Sequence, residues 1–136
     1  MNCFAPAALV LLLVAAIAGV HAGDKENDKK CASEWNIQES DIRRVFHEGP
    51  TNQNEKCFLG CAFTAGGLIV NGQFSAATAR AKVAERYKDN ADALKVANDS
   101  IDTCSKEVTG TDACETGTQL RACIERTAKQ LFSASR

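Results

Sequence analysis

The amino-acid sequence predicts an all-α bundle tied together by disulfides, and three observations carry that expectation. Cys57 and Cys61 stand four apart inside the apolar run Cys57-Phe58-Leu59-Gly60-Cys61-Ala62-Phe63, which is the spacing of one helical turn. No segment alternates apolar and polar residues with period two, as a half-buried strand would. Six cysteines follow an uncharged apolar opening, the pattern of an exported chain with a disulfide framework.

The first 22 residues contain no Asp, Glu, Lys or Arg, and Ala7 to Val20 is almost continuously apolar, about the length of a signal-peptide core. Val20-His21-Ala22 offers a small residue for cleavage, so residues 1–22 read as a signal peptide and residues 23–136 as one domain of 114 residues (136 − 22). The apolar run is short for a bilayer span, and no second run of ~18 residues follows, so no transmembrane segment is expected. The mature chain is expected to be secreted and extracellular. It keeps Cys31, Cys57, Cys61, Cys104, Cys114 and Cys123, while Cys3 leaves with the leader. All 16 basic and 17 acidic residues lie beyond Ala22, so the net charge stays at −1 and gives no basic footprint for nucleic acid.

Residues 23–30 form a charged leader that reads as a frayed turn ahead of Cys31. Ile42, Val45 and Phe46 have the i, i+3, i+4 spacing of a helix over Glu39 to Glu48, stopped by Gly49-Pro50. The Cys57/Cys61 helix starts near Asn54 and ends near Gly66-Gly67. Asn71-Gly72 marks a turn, but without flanking alternation it reads as a bend into the next helix. Ser75 caps a helix through Tyr87 with an apolar face of Ala76, Ala79, Val83, Ala84 and Tyr87. A fifth helix from Asp92 places Leu94, Ala97, Ile101 and Cys104 on one side, up to Thr109-Gly110-Thr111. The last begins near Asp112 and aligns Leu120, Ile124, Thr127 and Leu131.

Two cysteines at i and i+4 point the same way with nearly parallel Cα–Cβ bonds, a poor approach for bonding each other. The Cys57/Cys61 helix should therefore be tied to two other segments. Cys114 and Cys123 are nine residues apart, which at ~100° per residue puts them on opposite faces, so the last helix is interior as well. Six cysteines permit 15 pairings; three contain Cys57–Cys61, and excluding them leaves 12 (15 − 3).

The cysteine spacing, with CxxxC at Cys57/Cys61 and CxxxxxxxxC at Cys114/Cys123, resembles that of the insect odorant-binding proteins, the general-odorant and pheromone-binding group. The segment Val70-Asn71-Gly72-Gln73-Phe74 is similar to a turn of that family. The resemblance runs from Cys31 to the end of the chain. It implies six helices joined by Cys31–Cys61, Cys57–Cys114 and Cys104–Cys123, around a cavity for small hydrophobic molecules. It also implies a carrier moving odorants, pheromones or fatty-acid-like ligands through sensillum lymph toward an olfactory receptor, as a monomer or weak homodimer. Carriage in saliva, haemolymph or reproductive fluid is the alternative within the class. A disulfide-rich secreted interaction or defence protein with a solid core is the alternative outside it.

Magnitudes bear on the cavity. Chains above ~80 residues rarely require staples, and each bond here contributes roughly 3–4 kcal/mol by loop entropy. An apolar void of ~400 Å³ would cost on the order of 10 kcal/mol, about what three such bonds offset. Robustness outside the cell accounts for the bonds equally well.

The residues on inferred inward faces are Phe46, Phe63, Leu68, Val70, Phe74, Val83, Tyr87, Leu94, Ile101, Leu120, Ile124, Leu131 and Phe132. With Arg80 they form the candidate ligand-binding set. Arg80 lies about 40° from Ala76 on the helical wheel and reads either as a snorkelling side chain or as an anchor for a ligand carboxylate. Leu131 and Phe132 belong to a tail long enough to cover a cavity mouth. No catalytic residue, metal or cofactor is expected. The mature chain has one histidine, His47, amid Arg43, Arg44 and Glu48, and it lacks both a Gly-x-Ser-x-Gly motif and a calcium loop. Asn98-Asp99-Ser100 is a glycosylation sequon that falls inside the fifth helix, and Trp35 is expected to pack at a helix junction.

Overall fold

The computed structural model describes residues 25–134, with side chains described through residue 130. The signal-peptide reading of residues 1–22 lies outside the described residues, and so do the side chains of Leu131 and Phe132. The described chain runs α1 (Lys25–Glu34), α2 (Glu39–Glu48), α3 (Gln53–Ala65), β1 (Ile69–Val70), β2 (Gln73–Phe74), α4 (Ala76–Arg86), α5 (Ala91–Glu107) and α6 (Ala113–Ala134). The architecture is all-α, with one small hairpin.

Side-chain caps start four of these helices. Asn52 accepts from the Glu55 amide at 2.9 Å, Ser75 from Thr78 at 3.3 Å, Asn90 from Ala93 at 3.1 Å and Asp112 from Glu115 at 2.9 Å. Each satisfies an amide that the helix itself leaves unpaired. Helix α2 begins and ends where its apolar spacing places it, stopped at Gly49, whose φ of 99° a side chain would resist.

Two segments depart from expectation. From Lys25 on, the charged leader is part of α1, in which Asp28, Cys31 and Ala32 are buried. Its pattern is weakly amphipathic, and packing against α3 with the Cys31–Cys61 bond supplies the order that propensity does not. Residues 69–74 form an antiparallel hairpin in which Ile69 faces Phe74 and Val70 faces Gln73. Asn71 (φ 53°) and Gly72 (φ 80°) supply the two positive φ values that a two-residue I′ turn requires. Strands of two residues are too short to show alternation, so the turn chemistry was the whole signal. The tip docks on α6: Thr116 Oγ1 donates to the Gly72 carbonyl at 2.6 Å.

The bundle is organised around the crossing of α3 and α6, its most extensive helix contact, with α5 also packed on α6 and α1 on α3. At the crossing the backbones nearly touch. A Cβ on Gly60 would lie 2.4 Å from the Ala113 carbonyl oxygen, and a Cβ on Gly117 would lie 2.7 Å from the Gly60 nitrogen. Beside them Cys57–Cys114 closes with its Cα atoms 4.1 Å apart. Cys31–Cys61 and Cys104–Cys123 span 5.7 and 5.8 Å. The pairing is the one the family resemblance implied. Cys57 and Cys61 bond different helices, and Cys114 and Cys123 leave opposite sides of α6.

Polar groups inside the bundle are used locally. Ser100 is fully buried and shares a hydrogen bond with Thr127, which in turn donates to the Cys123 carbonyl at 2.8 Å. The hydroxyl of the sequon is thereby enclosed between α5 and α6. Glu55 is 5% exposed; it takes a hydrogen bond from Arg44 Nη2 at 2.6 Å and from the Thr51 amide at 2.8 Å, joining α2 to the start of α3.

The crossing predicts that Gly60→Ala and Gly117→Ala each destabilise the protein by ~1–3 kcal/mol, although alanine favours an isolated helix by about 1 kcal/mol. The neighbouring atoms are backbone and cannot rotate away; denaturant midpoints at or above wild type would show a looser crossing. Glu55 predicts an acid limit. The Arg44 hydrogen bond holds its carboxyl below the usual carboxylate range, a shift reinforced by Thr51 and opposed by burial. A depressed folded pKa stabilises above the unfolded value and loses that contribution as pH falls through the folded one. Glu55→Gln should therefore lower stability at neutral pH and flatten its decline below about pH 4.5, read by thermal unfolding across pH.

Candidate functional site

The interior is a single apolar cluster to which every helix contributes. Phe46 from α2, Phe63 from α3, Leu68 before β1, Val83 and Tyr87 from α4, Ile101 from α5, and Leu120 and Ile124 from α6 are all buried in it. Phe74 and Leu94 pack at its edge, partly buried, as does Trp35 at the end of α1. Phe46 lies at the centre, edge-on to Phe58 with centroids 5.6 Å apart and to Phe63 at 6.1 Å. Such pairs add ~0.5–1.5 kcal/mol beyond burial.

Phe58, Leu59 and Ile69 are equally buried, and their positions in the sequence did not single them out. Phe58 and Leu59 lie between the two cysteines of α3. A helix covered on several sides has no polar face to create contrast, so its periodicity is silent. The apolar run itself was the available signal.

Two members of the candidate set do not face inward. Val70 is 52% exposed, because the hairpin alternates and sends Ile69 to the core instead. Arg80 is exposed on the outer side of α4, where its Nη2 meets the Asp102 carboxylate of α5 at 2.5 Å. With its charge answered there, it is placed as a surface tie between two helices and not as an anchor for a ligand acid. Ala84, assigned to the apolar face of α4, is exposed too, leaving Ala79, Val83 and Tyr87 as the buried line. Leu131 and Phe132 fall beyond the described side chains.

Arg121 is a buried group that sequence reasoning missed. It stands in the apolar stretch of α6, 8% exposed; its Nη1 donates to the Phe46 carbonyl at 2.9 Å and meets Glu125 at 2.9 Å. The first bond ties the end of α2, where the helix leaves carbonyls unpaired, to α6. His47, next to Phe46, is half-buried; burial and then Arg43 push its pKa below the ordinary histidine value, with Arg121 adding and Glu125 opposing. It is thus less exposed than a residue at the end of a charged helix would be.

Grooves open at the surface of the described residues. One of about 470 Å³ is walled by Asn36, Gln38, Asp41 and the first turn of α3, with Ile37 as its apolar member. Another, of about 430 Å³, runs over Cys31–Cys61 and Cys57–Cys114 beside Trp35, Lys30 and Glu34. Neither matches the Phe46 cluster in chemistry. All six described cysteines are in disulfides, so none offers a thiolate. Among the described residues no group of three or more His, Cys, Asp or Glu is placed to hold a metal ion, and no helix is long and apolar enough to cross a membrane.

The model of the PBP/GOBP family matches residues 21–127, which includes all six paired cysteines. The chain belongs to the PBP/GOBP family. Among solved structures it is similar to the odorant-binding protein dmelOBP28a from Drosophila melanogaster, with a TM-score of 0.69 and 22% identity over 82% of this chain and 93% of that one. That likeness establishes the shared fold. A search of curated proteins found no match. The family is one of small hydrophobic ligand carriers and not of enzymes, and the apolar interior of this member is consistent with that.

The position of Arg80 predicts that Arg80→Met changes the affinities for a fatty acid and for the matching alcohol alike, within about twofold. A surface pair contributes only ~0–1 kcal/mol, and what is lost is the tie to Asp102. Selective loss of the acid, measured by competition binding, would restore Arg80 to the ligand site.

Proposed function

We propose that the protein is a secreted carrier that takes up small hydrophobic molecules reversibly in its helical interior and moves them through aqueous sensillum lymph toward olfactory receptors. Membership of the PBP/GOBP family is the observation that carries the reading. The apolar cluster around Phe46 supports it as the binding region, with Phe63, Leu68, Val83, Ile101, Leu120 and Ile124 as its walls. Phe74 and Leu94, partly buried against the cluster, serve as its rim in this reading, and the tail residues Leu131 and Phe132 are assigned to the ligand set from the sequence alone. The three disulfides suit an oxidising extracellular setting. Carriage in another secretion would use the same interior.

The complete burial of Phe46 and its neighbours is also what a solid-core secreted interaction protein would show. Titration with a fluorescent apolar probe separates the two. A carrier gives saturable binding of about one probe per chain with a micromolar Kd, and longer-chain apolar competitors displace it. Absence of saturable binding would leave a packed core and move function to the surface.

A further inference from the structure

The interior is apolar, and nearly every polar atom buried in it is spoken for. Glu55 is held by Arg44 and Thr51, Ser100 by Thr127, Thr116 by the Gly72 carbonyl and Arg121 by Phe46 and Glu125. Among the described residues two buried side-chain atoms have no hydrogen-bond partner: Nε of Arg121 and the hydroxyl of Tyr87. They differ in kind. The guanidinium of Arg121 already has its charge answered by Glu125, and one idle N–H is a minor deficit. The phenol of Tyr87 has a single polar atom, and that atom is the idle one.

Its position is imposed by α4. Ala79, Val83 and Tyr87 follow each other at i, i+4 and i+8, so the line that packs Ala79 and Val83 at zero exposure carries Tyr87 into the same cluster, 6% exposed. The Tyr87 amide donates to the Val83 carbonyl at 2.9 Å, and the guanidinium of Arg86 lies 5.8 Å from the ring centroid. A buried hydroxyl without a partner is unfavourable, and phenylalanine would fill the same space without that deficit.

We propose that the Tyr87 hydroxyl is the polar anchor of the apolar interior, and that its preferred ligands are hydrophobic molecules bearing one neutral hydrogen-bond acceptor, such as a carbonyl. This rests on the carrier reading above and narrows it to a ligand class. The group is suited to donate: burial raises the Tyr87 pKa, with Arg86 opposing, so it stays a neutral O–H at physiological pH. The charges argue against an acid as the favoured ligand. Arg44, Arg80, Arg121 and Arg126 each already face a carboxylate, on Glu55, Asp102, Glu125 and Glu107. A carboxylate entering the cluster would lose its hydration, and Arg86, which stands over the Tyr87 ring, is exposed to solvent outside the cluster.

The test uses three ligands of equal chain length, a long-chain methyl ketone, the alkane and the fatty acid, competing against a fluorescent apolar probe on wild type and Tyr87→Phe. The expected result is ~5–20-fold weaker ketone binding in the variant, alkane binding unchanged within about twofold, and wild type preferring the ketone to the acid. The Tm of the ligand-free variant should be at or above wild type, because the change removes an unpaired hydroxyl. A ketone-to-alkane ratio that is the same in both proteins overturns the anchor, and so does an acid bound more tightly than the ketone. A lower Tm would show that the hydroxyl is used by the protein and would overturn it as well. If wild type binds none of the three, the carrier reading fails and the anchor with it; retained alkane binding without a ketone preference removes the anchor alone.

Discussion

The structure depends on how closely α3 and α6 approach one another. Gly60 and Gly117 allow their backbones into contact, and only at that separation can Cys57 reach Cys114 with Cα atoms 4.1 Å apart. Once α3 and α6 are joined, the remaining cysteines have little choice. Cys61, one turn along the same face of α3, meets Cys31 on α1, and Cys123 is carried to the far side of α6, where α5 brings Cys104. Two steric absences thus make the covalent framework possible.

Much of this was legible because it is local. Helix α2 was readable from Ile42, Val45, Phe46 and the Gly49 stop, and α4 from Ser75 and the spacing of Ala79, Val83 and Tyr87. The inward residues of α5 and α6 followed from the same periodicity. What escaped depends on partners distant in the chain. Gly60 resembles a weak point in a helix until Ala113 is placed above it, and Arg121 resembles a surface charge until the Phe46 carbonyl is brought to it. Arg80 stood at the edge of an apolar stripe, and nothing near it in sequence announced Asp102, 22 residues away. Cavity wall and packed core are written in the same residue types, so the spacing that located the interior could not divide one from the other.

Charge is sorted as consistently as bulk. Arg121, buried, and Arg44, partly buried, are neutralised by Glu125 and Glu55, and Arg86, over the Tyr87 ring, is exposed. The bundle therefore presents no net ionic feature to whatever occupies its centre. In the carrier reading, discrimination there would come from shape and from the few neutral dipoles available, favouring breadth among ligands of similar size over strict selection of one.

The disulfides also divide the helices by how they are tied. Helices α1, α3, α5 and α6 each carry at least one half-cystine, whereas α2 and α4 carry none. Helix α2 is nonetheless clamped by Arg44 to Glu55 and by its Phe46 carbonyl to Arg121, while α4 is held by its buried line and a solvent-exposed ion pair. Opening fluctuations take the path of least free energy. Helix α4 is accordingly the helix joined to the rest by packing and a surface ion pair alone. In the carrier reading, a molecule leaving the interior would displace that helix more readily than the cystine-bound frame, so exit would be governed by the element that chemistry left untied.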